Sequence, residues 1–334
     1  MLVAMAATAQ TPTATLSHEG TVKCFYGKEA LVNAVAEAEN GDNITLSSGL
    51  FSGTTIDKAI TVKGAGMSPD TINNITPTTI SSALTINTSD VTVEGTYIAA
   101  NLTLNHFNNI KIISCAIAGL ITNENNSNKG MVNKYFIGSK ALNHDTSISN
   151  PGFNVRCDSI NFYITNSYIR HLEIGNYKNA IHVEATNSLI GFPAFNYINY
   201  SSFTNCILWC YLNSGRYLNS SNYAYYCVGV DAPDMFKYIL SYGTDVGITN
   251  KTVANFSDIF KTFTGDPSEF ETFELTSSAQ TTFLGDDGTQ VGIYGGSMPF
   301  NPKPNNPYIT KLTVAEKSTP QGTLSVDIQV QPAQ

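Results

Sequence analysis

His182 and Glu184 stand two residues apart, the spacing that puts both side chains on one face of a strand, with Ile181, Val183 and Ala185 facing the other way. A basic group beside a carboxylate is the pairing that takes the proton alpha to a uronate carboxyl, or that protonates a glycosidic oxygen. Arg170, His171 and Glu173 lie shortly upstream, and Lys111 occupies a comparable outward slot several repeats back. A cation in such a place neutralises a substrate carboxylate. The candidate catalytic residues are therefore His182, Glu184, Arg170 and His171. Against them, no cluster of three carboxylates and no paired basic residues recur at neighbouring copies of the surrounding pattern. The plainer expectation is a solvated outward face without a catalytic constellation.

Aromatic residues offer a second chemistry. Tyr197, Tyr200, Trp209, Tyr211 and Tyr217 crowd one stretch, with Phe195, Tyr223, Tyr225 and Tyr226 around them. An outward ring stacks on the C–H face of a sugar while its polar tip bonds a hydroxyl, so the first five are the expected ligand-binding platform. Strand alternation sends about half of such a group into the core instead. No metal is expected. Asp286-Asp287 raises calcium, but the alternating carboxylates and downstream Glu of an EF-hand loop are missing. The six cysteines, at 24, 115, 157, 206, 210 and 227, show no CxxC or Cys/His ligand spacing.

What positions these residues is a repeat. Asn161-Phe162-Tyr163-Ile164-Thr165-Asn166-Ser167 lines up with His182-Val183-Glu184-Ala185-Thr186-Asn187-Ser188, and then with Tyr200-Ser201-Ser202-Phe203-Thr204-Asn205-Cys206. The same frame sets Ser114 and Gly95 at the asparagine position upstream, and makes Tyr223 to Val228 a weaker copy with Cys227 beneath Cys206. A unit of about twenty residues, with short β-branched alternation and a polar turn, cannot close a core alone and must stack on its copies. The crossover preference of parallel strands then selects a right-handed, all-β parallel β-helix. In that fold an inward asparagine ladder at the corner is the default reading of the frame, and Cys115, Cys206 and Cys227 are stacked small core residues next to it. An oxidising location permits a Cys206–Cys227 disulfide without demanding one.

Taken from the start, residues 1–10 end in Ala7-Thr8-Ala9 after a short apolar run, the form of a signal-peptide remnant. Glu29 to Glu39 carries helical spacing through Leu31, Ala34, Val35 and Ala38, with Gly41 as its expected C-cap glycine, and is placed to cover the open end of the cylinder. The β-helix is expected to run from residue 11 to 300. A coil around Met131 to Ile137 is expected within the irregular stretch from Ile121 to Pro151. A proline-containing linker follows residue 300, and then two alternating segments, Tyr308 to Ala315 and Thr323 to Val330, read as a C-terminal hairpin within residues 301–334.

Composition narrows the partners. Charged residues make up 13% and the net charge is −8, which argues against nucleic acid or an anionic membrane surface. No run reaches the roughly 18 apolar residues of a membrane span.

Two ends of the chain carry a family resemblance. Asp286-Asp287-Gly288-Thr289-Gln290-Val291-Gly292-Ile293-Tyr294-Gly295-Gly296, followed by Pro299-Phe300, Pro307-Tyr308-Ile309 and Pro320-Gln321-Gly322, resembles the closing segment of secreted bacterial β-helix proteins of the pectate-lyase-like (pectin-lyase-like) kind. The order helix, Gly41-Asp42-Asn43-Ile44-Thr45-Leu46, then Ile60-Thr61-Val62-Lys63-Gly64-Ala65-Gly66 is similar to the same group. The resemblance implies this solenoid and an exported location, periplasmic, cell-surface or extracellular. Its members include lyases, hydrolases, adhesins and spikes, so it implies no single activity. The expectation is a glycan-binding or surface-presenting protein; the alternatives are a polysaccharide lyase or glycoside hydrolase, and a structural or adhesive spike.

Overall fold

In the computed structural model, the described residues are 11–69, 76–123, 131–142, 153–155, 160–174, 181–192, 200–210, 218, 221–239, 250–265, 271–301, 308–314, 322–323 and 326–331. Residues 1–10 lie outside them, and so do Tyr197, Tyr211, Tyr217 and Cys157.

The chain is a parallel β-solenoid. The coils up to Leu172–Ile174 lay one short strand into each of three sheets, and the later ones are described in the first two; among the described residues the sheets have eleven, ten and six strands. Neighbouring strands in a sheet come from successive coils and pair in parallel, as Val132–Ile137 does with Ile160–Thr165, and Ile160–Thr165 with Ile181–Thr186. The irregular stretch holds the first two strands of one coil, Val132–Ile137 and Lys140–Ala141, whose third strand, Phe153–Val155, follows just past it.

Alternation decides which side chains face inward. In the first sheet Ile44, Val62, Val93, Ile112, Phe136, Ile164, Ala185, Phe203 and Ala224 stack in register down the interior, each buried. Ala185 sits directly under Phe203, a small side chain against a large one, which keeps the interior filled where two phenylalanines would overpack. Lys134 also points inward, and its Nζ donates to the Leu104 and Asn105 carbonyls at 2.9 and 2.7 Å.

At the N-terminal end the first sheet is continued by an antiparallel hairpin, Thr13–His18 with Thr21–Tyr26, closed by Glu19 and Gly20 at φ of 44° and 82°. Two successive positive φ values are what a two-residue turn matched to strand twist requires. The helix Ala30–Glu37 packs on this hairpin and on Asn43–Leu46 through Ala30, Leu31, Ala34 and Val35. It ends earlier than its periodicity implies. Ala38 is the C-cap in extended geometry, and Gly41, at φ of 96°, instead serves the turn that follows, donating to the Ala59 carbonyl at 2.7 Å.

The later second-sheet strands Leu189–Phe192, Ile207–Cys210 and Val228–Val230 are buried on both faces. Their inner face joins the solenoid core. Their outer face is covered by the chain after residue 250, which folds back along the cylinder and buries Phe260, Phe263, Phe273, Val291, Ile293 and Phe300 against it. Strands apolar on both faces are what a two-sided burial demands. Tyr308–Val314 and Val326–Gln331 then form the antiparallel C-terminal hairpin. No helix among the described residues is long and apolar enough to cross a membrane.

Candidate functional site

The frame residue of each repeat is a left-handed corner. Gly95, Ser114, Gly138, Asn166, Asn187, Asn205 and Tyr226 occupy it with φ between 45° and 65°. Asparagine is the side-chain-bearing residue best suited to that conformation, which explains its recurrence without any ladder. Among the described residues the expected inward asparagine ladder is absent. The side chains turn out toward the returning C-terminal segment: Asn166 Nδ2 donates to the Ile293 and Gly295 carbonyls at 2.9 and 2.8 Å, and Asn205 Nδ2 to Asp286 Oδ1 at 2.8 Å. The Asp286 N–H returns a bond to Asn205 Oδ1 at 3.0 Å. Glycine is needed opposite them, since a Cβ on Gly296 would lie 2.1 Å from Asn187 Nδ2 and one on Gly285 would lie 2.6 Å from the Asn205 amide carbon.

The ladder that does run down the interior belongs to the next residue. Thr96, Cys115, Ser139, Ser167, Ser188, Cys206 and Cys227 are all buried. Ser139 Oγ accepts the Cys115 N–H at 3.0 Å, Ser167 Oγ that of Ser139 at 3.1 Å, and Ser188 Oγ that of Ser167 at 3.2 Å. Cys206 and Cys227 are free thiols here, each donating to carbonyls of its own coil and the preceding one. Burial pushes the Cys115 thiol up to about 11 and holds the Cys206 thiol well above its ordinary value, so both stay protonated and unreactive.

The four catalytic candidates do not converge. His182 and Glu184 do share the outward face of the first sheet, about 7 Å apart along one strand. The His182 ring meets the Tyr200 carbonyl at 3.0 Å through Nδ1. Arg170 and His171 instead sit at the corner between second- and third-sheet strands, where Arg170 Nη1 donates to the Leu142 carbonyl at 3.3 Å and His171 is buried. The reason is coil length: residues 168–174 pass through the other two sheets before the chain returns to the first.

The aromatic platform divides in the same way. Tyr200 is 57% exposed, whereas Trp209 is 1% exposed. Trp209 lies on the outer face of the second sheet, beneath Phe263 at 5.6 Å and Phe256 at 5.9 Å between ring centroids. It anchors the returning segment and presents no surface. Asp286 and Asp287 likewise hold that segment, the latter accepting the Thr289 N–H and hydroxyl at 2.9 and 2.8 Å. Among the described residues no group of three or more His, Cys, Asp or Glu is placed to hold a metal.

A different constellation emerges when the outward face of the first sheet is followed from coil to coil. Lys111, Tyr135, Tyr163, Glu184 and Ser202 stack in register on successive strands. The rings of Tyr135 and Tyr163 lie parallel at 5.0 Å with 14° between planes, and Lys111 Nζ stands 5.9 Å from the Tyr135 centroid. Beside them Asn161 Nδ2 donates to Asn133 Oδ1 at 2.9 Å, with His182 next in that row. Lys111 and Glu184 are three rungs apart, about 14 Å, too far to act on one bond.

Two residues along the strands from this row, Glu94, Ile113 and Ile137 floor a groove of about 680 Å³. Ser297, Met298, Pro299, Phe300 and Asn301 of the returning segment wall it. Lys63 neutralises Glu94 across 3.2 Å, and Lys140 lies beneath the wall, 5.3 Å from the Phe300 centroid. The arrangement suits an extended ligand with apolar faces and polar edges. Tyr135 and Tyr163 were legible in the repeat frame, which aligns Tyr163 with Glu184 and with Lys111; the signal lies across copies, not along the chain. Against known protein families, curated proteins and solved structures, the chain matches none.

Proposed function

We propose that this is an exported, right-handed β-helix protein that binds or presents a glycan along the outward face of its first sheet. The observation that carries this reading is the stacked Tyr135–Tyr163 pair beside the groove floored by Ile113 and Ile137. A rung spacing of about 4.8 Å is close to the length of one sugar unit, so a chain laid along the cylinder meets one tyrosine per residue. The stacked pair offers ring edges and hydroxyls to a sugar chain beside the apolar groove floor, and Asn133, Asn161 and Lys111 add further polar groups. The Ala7-Thr8-Ala9 segment supports export, and the resemblance of both chain ends supports a secreted bacterial setting.

The test is binding to a panel of neutral and acidic polysaccharides by affinity electrophoresis. Tyr135→Ala and Tyr163→Ala each weaken binding about tenfold, equivalent to ~1.4 kcal/mol. Lys237→Ala, at an exposed position in the turn that follows Val230, leaves affinity unchanged. Full binding in the Tyr135→Ala, Tyr163→Ala double variant refutes the reading.

A second reading is favoured by the placement of Glu184 in that row with His182 beside it: a polysaccharide lyase or glycoside hydrolase, with the same glycan as substrate. Reducing-end release or the ultraviolet absorbance of an unsaturated uronate product, abolished in His182→Ala or Glu184→Ala, would replace binding with catalysis.

A further inference from the structure

The hairpin strand Thr21–Tyr26 is the last strand of the first sheet, and its outer edge pairs with no described residue. Which backbone groups it leaves open follows from the hairpin register. His18 and Thr21 flank a two-residue turn, so they form a hydrogen-bonded pair. The Gly27 N–H donates to the Pro12 carbonyl at 2.8 Å, continuing the same alternation. Thr21, Lys23 and Phe25 therefore direct their N–H and C=O groups at the strand Thr13–His18, and Val22, Cys24 and Tyr26 direct theirs outward. The side chains of these three residues are exposed too, Val22 by 66% and Tyr26 by 68%. Lys23, the charge that would discourage pairing on this strand, is turned to the helix side, where it pairs with Glu37 and lies 5.3 Å from the Phe25 centroid.

We propose that this edge joins a second copy of the chain, through antiparallel pairing of two Thr21–Tyr26 strands about a twofold axis at Cys24. The segment is self-complementary in that register. Val22 falls opposite the second copy's Tyr26, an aliphatic side chain against an aromatic one, and Cys24 falls opposite Cys24. All three outward residues form hydrogen-bonded pairs, about six backbone bonds in total. On the helix side Lys23 comes opposite the other copy's Phe25, extending the cation–π contact already present within each strand. The two first sheets merge into one continuous sheet, and their outward faces, with the tyrosine rows, lie on the same side. An isologous contact of this kind closes on itself and stops at two.

Sedimentation of the full chain tests this. The expected result is a concentration-dependent species with the mass of two 36.0 kDa chains. Cys24→Pro removes one outward N–H while leaving every bond to Thr13–His18, and is expected to sediment as a monomer with an unchanged circular dichroism spectrum. Should that variant not fold, Val22→Lys with Tyr26→Lys places like charges opposite one another and is expected to dissociate the dimer by tenfold or more. In the dimer, an added diazenedicarboxamide oxidant takes two electrons and two protons from the facing Cys24 thiols, is itself reduced to the hydrazine, and leaves a Cys24–Cys24 disulfide that is lost in Cys24→Ser. A wild-type chain that stays monomeric, with the edge open or occupied by its own residues 1–10, overturns the proposal. So does a dimer that survives the double lysine variant.

Discussion

Asn205 combines two demands in one side chain. Its backbone must turn a corner at φ of 55°, and its amide must bond both the carboxylate and the N–H of Asp286. The two contributions separate by substitution. Asn205→Gly keeps the corner and loses the bonds, at a cost of about 1–3 kcal/mol. Asn205→Ala loses both, and left-handed strain adds about 1–2 kcal/mol more. Denaturant unfolding of the two variants checks the order; equal stabilities would mean that the corner carries no strain. The same residue type at 166 and 187 serves the same segment, which is why three neighbouring copies carry asparagine where Gly95, Ser114 and Gly138 suffice earlier.

At the scale of the coil, the buried Ser/Cys column holds the turns between first and second sheets in register. Each member accepts a backbone N–H or donates to carbonyls of two coils. Ser167→Val leaves the buried Ser139 N–H without an acceptor and is expected to destabilise by about 1–3 kcal/mol. Ser167→Cys, the residue already present in this slot at 115, 206 and 227, is expected to cost less than half as much. Thermal unfolding of both distinguishes a hydrogen-bonding column from one filled only for volume, in which valine would be tolerated. The outer layer works differently. Tyr168 stacks on Phe273 at 4.2 Å, and Trp209 packs under Phe263, so the later coils are clamped by chain from far along the sequence. The groove wall at Ser297–Asn301 is placed by that clamp.

For the whole molecule, one pair ties the N-terminal hairpin to the first coil: His18 Nδ1 and Asp42 Oδ1 at 2.8 Å. The hydrogen bond to Asp42 raises the His18 imidazole above its ordinary 6.5, with the Asp42, Glu39 and Glu19 charges assisting and partial burial opposing. The Glu39 N–H, and then His18, hold Asp42 below its ordinary 3.8. A raised imidazole contributes stability that is complete below pH 6.5 and is lost as pH rises through the folded-state value. A lowered carboxyl contributes stability that is present above pH 3.8 and is lost as pH falls through its folded-state value. The stabilisation from this pair is therefore greatest between those limits. The melting temperature of the wild type relative to His18→Gln is expected to be highest between pH 3.8 and 6.5 and to fall as pH rises above 6.5. A difference that grows above pH 7 would show that the pair is not what the pH acts on.

The repeat alone determined the architecture. A twenty-residue unit with alternating β-branched residues has no core except the one made by stacking, so the frame from Asn161 to Cys206, the imperfect coil near Tyr135, and the buried cysteine slot were all legible from spacing. The direction of the asparagines was not, because a left-handed corner and an inward ladder favour the same residue. Nor was the fate of Trp209: alternation says that it leaves the core, but whether it then meets water or another segment depends on chain some fifty residues later. His182 and Arg170 are near in sequence and lie on different sheets, whereas Lys111, Tyr135, Tyr163 and Glu184 are far apart in sequence and share one row. A solenoid makes neighbours of residues one coil apart, and coil length varies with each corner loop. Only the tertiary structure decides which side chains become a surface.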